Sequence, residues 1–164
     1  MARTKLSLAT CNLYNLNEPG FRLYSDADGW SQDEYNQKIS WTTNLITNLE
    51  TDVWAFQELW HSDSLQHLFA GDNVNEYTLL APPDHSGQRI ICAAAVKSKI
   101  LVGAPEWIVH FPRNFQLSSG GDDDQASGIA VQINSFSRPV LHFQIKPRSN
   151  GRKIHVYVCH FKSK

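Results

Sequence analysis

The chain has 164 residues, of which 41% are hydrophobic and 19% are charged, as is typical of one soluble globular domain. No apolar run approaches the roughly 18 residues of a membrane span, and no signal-peptide pattern opens the chain, so we expect a cytoplasmic protein. The net charge of −1 argues against tight non-specific DNA binding.

The charge is unevenly distributed along the chain. Residues 1–137 carry 8 Lys+Arg and 16 Asp+Glu, whereas residues 138–164 carry 7 Lys+Arg and no acidic residue. A basic segment of this kind could face phosphate. The basic residues beside a predicted turn at 149–151 are equally explained by a solvated hairpin, so Arg138 and Lys162, at predicted strand ends, are the stronger candidates.

Three cysteines, Cys11, Cys92 and Cys159, lie far apart in apolar sequence. Their odd number and wide spacing favour reduced thiols in the core over a disulfide framework or a zinc site. The histidines show neither HxH nor HExxH spacing, which also argues against zinc.

Strands alternate with helices in the first part of the chain. Residues 6–11 predict a strand and residues 12–17 an Asn-rich loop. Ser31 and Glu34 form a capping-box pattern that predicts the start of a helix, and residues 52–59 predict a second strand. The apolar side of the helix has residues at helical spacing, namely Tyr35, Ile39, Thr42, Leu45, Ile46 and Leu49.

The second part is rich in strands. Ser62 predicts the N-cap of a short helix that extends to residue 69. Further strands are predicted over 77–80, 89–96, 100–102, 107–111, 129–133, 140–145 and 154–161. Residues 110–128 are loop-like, and the last two strands form a hairpin across 149–151. We therefore expect one domain of the α/β (α+β) class, with a mixed, largely antiparallel sheet and flanking helices.

Glu58 directly follows the apolar run of the second strand, residues 53–57. A carboxylate in that position is costly to bury without a partner, so it must be solvated, paired or bound to a metal ion. Carboxylates with water ligands suit Mg²⁺ or Mn²⁺. A structural salt bridge is the alternative, and the isolated residue favours it.

Asn12 and His160 lie at the ends of the first and last predicted strands. The Asn12 amide could ligate a hard cation or bind a phosphate oxygen, or it could simply form a turn. The His160 ring could act as an acid, a base or an anion-binding group, or it could be a satisfied core histidine on the face of Val156 and Val158.

Two further features could bind charged groups. Arg138 precedes the predicted strand at 140–145 and could bind phosphate bidentately or pair with a surface acid. The three aspartates at 122–124 suggest a metal cluster. Consecutive aspartates cannot easily converge on one ion, however, and the glycines at 120–121 favour a solvated loop.

Three segments occur together in an informative order: residues 8–13 (LATCNL), 52–58 (DVWAFQE) and 158–163 (VCHFKS). They resemble the opening motifs of the endonuclease/exonuclease/phosphatase family, which has the fold of deoxyribonuclease I and exonuclease III. The Gln–Glu pair that ends the second segment is the most specific element. Residues 137–141 (SRPVL) and 35–39 (YNQKI) resemble a bacterial branch of that family.

The resemblance implies a metal-dependent phosphodiester hydrolase, with Mg²⁺ or Mn²⁺ as its cofactor. By resemblance, Glu58 is a ligand of the metal ion, Asn12 lies beside it at the metal and the phosphate, and His160 contacts the scissile phosphate. Arg138 and Lys162 are weaker candidates for binding the substrate phosphate.

The resemblance leaves the substrate open. DNA, RNA, a phosphoinositide and a phospholipid all remain, since nucleases, phosphoinositide phosphatases and sphingomyelinases share these opening motifs. The motif around His160 also departs from the family pattern, because Phe161 replaces the usual Leu. We expect this change to lie on the buried face of the strand.

The family's later motifs, an Asp-x-Asn pair and a near-terminal Asp-His pair, do not follow His160. We therefore expect the N-terminal portion of a four-layer sandwich that lacks its C-terminal sheet, and an incomplete site with weak or no activity. A sheet face left uncovered would favour a homodimer. The alternative function is a non-catalytic interaction domain, or a half-domain that self-associates or needs a complementing partner.

Overall fold

The computed structural model describes residues 5–24, 28–71, 76–82, 86–115, 117–119 and 131–161. Its elements in chain order are β1 (Leu8–Leu16), α1 (Gln32–Leu49), β2 (Val53–His61), α2 (Ser62–Leu68), β3 (Tyr77–Leu80), β4 (Ser86–Lys97), β5 (Leu101–His110), β6 (Leu117–Ser119), β7 (Val131–Ile133), β8 (Ser135–Ile145) and β9 (Ile154–Val158). The strands form a sheet of order β1-β2-β4-β3, a second sheet of order β5-β8-β9, and the pair β6-β7.

The first sheet is mixed, since β1 runs parallel to β2 and the other pairs are antiparallel. Helices α1 and α2 cover one of its faces, where Ile46 and Leu65 belong to the same buried cluster as Trp54. The predicted capping box opens α1: the Ser31 hydroxyl accepts the Glu34 N–H, and the Glu34 carboxylate accepts the Ser31 N–H at 3.0 Å. This bond pair satisfies N–H groups that the first helical turn leaves free.

The second sheet is antiparallel and covers the opposite face of the first. Val53 and Ala94 of the first sheet share a buried cluster with Leu141, Phe143 and Ile145 of the second. The chain thus builds three layers, helices on a mixed sheet on an antiparallel sheet. The predicted α+β class is confirmed, and the chain supplies more of the second sheet than its motifs indicated.

Several predicted boundaries were wrong. Residues 12–17 were predicted as a loop, but most of them continue β1 through two residues with positive φ. The two strands predicted over 100–102 and 107–111 are one strand, β5 (Leu101–His110), whose register shifts where Gly103 adopts a φ of +74°. A glycine at this φ lets a bulge interrupt the pairing without ending the strand, so its turn signal was misleading.

The ends of two other elements also differ from the prediction. The side chain of His61, not that of Ser62, caps α2 by accepting the Asp63 N–H at 3.3 Å. Strand β9 ends at Val158, so His160 follows the strand instead of belonging to it. Part of the predicted 110–128 loop forms β6, and the aspartates at 122–124 lie outside the described residues.

The uncovered apolar face that led us to expect a homodimer is absent from the described strands of the first sheet, because β8 and β9 pack on it. The outer face of the second sheet carries a polar cluster, in which His142 contacts Glu106, His155 and Tyr157. The homodimer therefore stays a prediction, and an uncovered face of the first sheet no longer supports it. Among the described helices, none combines the length and hydropathy that a bilayer crossing needs.

Candidate active site

A bulge in β2 turns Glu58 away from the helices. Val53 faces the second sheet and Trp54 and Phe56 pack beneath the helices, as alternation requires. Leu59 also packs beneath the helices, although strict alternation would place its side chain on the other face of the sheet from that of Phe56. The bulge therefore adds one residue to β2 at Glu58, whose φ is +61°. The slip reverses the direction of the Glu58 side chain and aims it at the end of β9.

A matching irregularity in β1 anchors the carboxylate. Tyr14 and Asn15 have φ values of +52° and +54°, and the register between β1 and β2 shifts there. The Asn15 N–H donates to Glu58 Oε2 at 3.0 Å. Asn15 is itself held by two tryptophans: its carbonyl accepts the Trp30 indole N–H at 2.7 Å, and its Oδ1 accepts that of Trp60 at 3.1 Å.

His160 completes the pair from the second sheet. Its Nε2 lies 3.3 Å from Glu58 Oε1, and the two side chains are 15% and 17% exposed. Nδ1 of the ring is buried and has no hydrogen-bond partner among the described residues. The structure thus places a carboxylate against the ring, in addition to the apolar neighbours expected from the strand.

The surroundings of His160 favour a neutral ring. Burial is the main effect that lowers its pKa below the ordinary value, and the Arg138 guanidinium lowers it further. The Glu58 carboxylate opposes both effects but does not reverse them. A neutral imidazole has one N–H to donate, and Nε2, which faces the Glu58 carboxylate, is the nitrogen placed to carry it.

Asn12 lies on β1, where its partner on β2 is Gln57, the residue before Glu58. Its side chain is exposed, and its Oδ1 accepts the Tyr14 N–H at 2.8 Å. The turn-forming role considered from the sequence is therefore observed. An amide oxygen has two lone pairs, so this bond leaves capacity for a cation or a donor group.

Arg138 contacts the site through a hydrogen bond to the main chain just after His160. The register that pairs Leu141 with Val158 brings Arg138 opposite Phe161, and its guanidinium donates to the Phe161 carbonyl at 3.2 Å. The Phe161 side chain is 80% exposed, so the expectation that it lies on a buried face was wrong. The strand ends before this position, and alternation no longer applies. Lys162 lies outside the described residues.

The donor atoms fit a hard divalent cation better than zinc. Each Glu58 oxygen has one contact, to Asn15 or to His160, and can accept another. One carboxylate and one amide, completed by water and substrate oxygens, match the preference of Mg²⁺. The described residues contain no cluster of three or more His, Cys, Asp or Glu that could hold an ion by themselves.

Comparison with known proteins identifies the architecture. No family model matches the sequence, and no curated protein does. An endonuclease/exonuclease/phosphatase from Bacteroides vulgatus superposes with a TM-score of 0.56 at 16% identity, over 94% of this chain and 52% of its own. The chain has an endonuclease/exonuclease/phosphatase fold. The resemblance predicted from the motifs is thus confirmed at the level of the fold.

Two other solved structures agree with this fold. A functionally unknown conserved protein from Enterococcus faecalis V583 superposes with a TM-score of 0.52 at 16% identity, over 93% of this chain and 51% of its own. A humanised D. rerio TDP2 superposes with a TM-score of 0.50 at 12% identity, over 93% of this chain and 45% of its own. The chain therefore spans about half the length of the structures it matches.

The residues that support Glu58 in this endonuclease/exonuclease/phosphatase fold were missed in the sequence. Asn15 was read only as part of a loop, and Trp30 and Trp60 were not singled out. The available signal was the pair Tyr14-Asn15 after an apolar strand, because Asn is the residue after Gly that best tolerates positive φ. The indole contacts carry no sequence signal, since they depend on how the loop folds over β2.

Proposed function

We propose that the chain carries part of the active site of a Mg²⁺- or Mn²⁺-dependent phosphodiester hydrolase of the nuclease/phosphatase kind. The observation that carries the proposal is the Glu58–His160 pair, with a carboxylate oriented by a bulge and a neutral imidazole 3.3 Å away. The fold of the matched structures supports the proposal, and so do the oxygen atoms that Glu58 and Asn12 offer as ligands to a hard cation.

Each residue then has a definite task. Glu58 and Asn12 would hold the metal ion, which when bound supplies Lewis-acid polarisation of a phosphoryl oxygen. His160 Nε2–H, which faces Glu58 in the structure, would donate instead to a non-bridging oxygen of the substrate and so oppose the charge that develops there. Arg138 fixes the backbone just after His160 by its bond to the Phe161 carbonyl. Lys162 stays a weaker candidate for the substrate phosphate.

The proposal is tested by the hydrolysis of bis(p-nitrophenyl) phosphate with Mg²⁺, Mn²⁺ or EDTA. Glu58→Gln and His160→Ala should each lower the metal-dependent rate by about a hundredfold or more. Glu106→Gln is a matched control, because Glu106 also contacts a histidine, His142, but on the outer face of the second sheet. Equal rates in Glu58→Gln and Glu106→Gln would count against the proposal.

One observation favours the complementation alternative. Among the strands that the structure describes, β1 and β9 are the edge strands of their sheets, and a cleft of about 430 Å³ lies between them. Ala55 and Val158 line it together with Gln57, and unpaired strand edges are suited to pairing with another chain. If the chain alone is inactive and gains Mg²⁺-dependent activity when a half-domain partner is added, the residues above act only in the assembled site.

A further inference from the structure

Tyr14 has an unusual backbone conformation for an aromatic residue. Its φ is +52° and that of Asn15 is +54°, so two consecutive residues occupy the left-handed region. Asn tolerates this region through its short polar side chain, whereas a bulky side chain in it is a genuine outlier. Outliers of this kind cluster at functional sites, where surrounding bonds hold them in place.

The bonds that hold the strained pair do not use the Tyr14 side chain. The Tyr14 N–H donates to Asn12 Oδ1 at 2.8 Å, and the Asn15 N–H donates to Glu58. The Tyr14 ring is 69% exposed and touches Trp30 edge-on, with ring centroids 6.3 Å apart. Glycine at this position would place the same N–H groups without steric cost, so the turn alone does not explain a tyrosine.

Exposed aromatic rings flank both members of the candidate site. Tyr14 immediately precedes Asn15, whose N–H contacts Glu58, and Phe161 immediately follows His160. Tyr14 thus adjoins the residue that anchors Glu58, and Phe161 adjoins His160, with consecutive Cα atoms about 3.8 Å apart in each case. Both are largely exposed, at 69% and 80%, and could meet a ligand that binds there.

The chemistry of such rings selects a ligand. A solvent-exposed aromatic face stacks on a nucleobase of any sequence, whereas an inositol or an acyl chain offers no planar face of this kind. Stacking needs an unpaired base, because the faces of bases in a duplex are already covered by their neighbours.

We propose that Tyr14, with Phe161 as a second platform, stacks on unpaired nucleobases beside the scissile phosphate, so that the substrate is single-stranded nucleic acid. The proposal rests on the proposed function for the identity of the site. It assigns Tyr14 the role of a specificity-determining residue, separate from the residues that hold the metal ion and the phosphate.

Binding of fluorescent oligo(dT) and of an abasic oligonucleotide with the same number of phosphates tests the proposal. Both are measured in EDTA, so that no turnover is needed. The protein should prefer oligo(dT). Tyr14→Ala should weaken oligo(dT) binding by about 5- to 100-fold and leave abasic binding unchanged, whereas Tyr14→Phe should keep the preference. Trp41→Ala, which removes an exposed ring from α1, is the matched control and should change neither.

Tyr14→Gly separates stacking from a purely structural role. It keeps the N–H groups and relieves the strained backbone, so a structural role predicts wild-type binding, whereas stacking predicts the same loss as in Tyr14→Ala. The proposal is overturned if the wild-type protein binds both oligonucleotides with equal affinity. It is also overturned if Tyr14→Ala weakens the binding of both by the same factor. A base preference without Mn²⁺ binding at the Glu58–His160 pair would instead overturn the proposed function and leave the stacking role intact.

Discussion

The main-chain N–H of Asn15 donates to Glu58 Oε2 at 3.0 Å, and this bond joins irregular positions in two neighbouring strands. Both residues have positive φ, and both lie where the register between β1 and β2 shifts. The two distortions support each other. The irregular turn in β1 supplies the N–H donor, and the bulge in β2 directs the Glu58 carboxylate toward it. Rigid strands thus hold Glu58 in place before any ligand arrives.

Replacing Asn15 by Ala should destabilise the fold. Trp60 is buried and its indole N–H would lose its acceptor, while alanine would also be strained at a φ of +54°. We expect a loss of about 1–3 kcal/mol in the free energy of unfolding, measured by urea denaturation. Asn48→Ala, an exposed position on α1, should change it by less than about 0.5 kcal/mol. Equal losses in the two variants would contradict the network.

The stability of the protein should fall in mildly acidic solution, in part because of His160. Its pKa is lowered in the folded state by burial and by Arg138, so the unfolded chain binds the proton more tightly. The stabilisation is complete above the unfolded pKa of about 6.5 and is lost as the pH falls below that value. Urea denaturation between pH 5 and 8 should show a weaker pH dependence in His160→Gln. An unchanged profile would argue against a buried neutral ring.

Phe143→Ala should test the packing between the two sheets. Phe143 is buried in the cluster that joins β8 to β2 and β4, so its removal leaves a cavity. We expect a loss of about 3–5 kcal/mol in the free energy of unfolding. Tyr157→Ala removes an exposed ring from the neighbouring strand and should cost far less. Similar small losses in both variants would mean that the second sheet is not packed as described.

The three cysteines are unpaired in the structure, and Cys92 is the most deeply buried. Burial raises the pKa of its thiol to about 12, so almost no thiolate forms at neutral pH. We expect Cys92 to resist alkylation in the native protein and to react fully in denaturant, as followed by peptide mass spectrometry. Rapid native labelling of Cys92 would contradict its place between the sheets.

Local sequence patterns were sufficient to predict most elements of the fold. The capping box at Ser31 and the apolar run before Glu58 predicted α1 and β2 because both depend on residues close in sequence. The continuation of β1 through residues 12–17 was not predictable, since it requires pairing with β2. The same holds for β5, where a glycine was read as a turn although the strand absorbs it as a bulge.

The sequence singled out two residues that meet in the candidate site, but it did not predict their geometry. Glu58 and His160 were both singled out, and the structure brings them together across two sheets. Their contact depends on the packing of β9 against β2, which no spacing in the sequence encodes. The bulge at Glu58 was likewise unpredictable, because glutamate has no preference for positive φ and is held there by the neighbouring strand.

Manganese binding followed by NMR tests the central claim most directly. Paramagnetic Mn²⁺ broadens signals of nuclei close to it, so titration should first broaden the amide signals of Asn15 and Glu58 and the ring signals of His160. In Glu58→Gln this selective broadening should disappear, whereas in Glu106→Gln it should persist. Broadening that is the same in wild type and Glu58→Gln, or that never reaches Asn15 and His160, would contradict a metal-binding site at the Glu58–His160 pair.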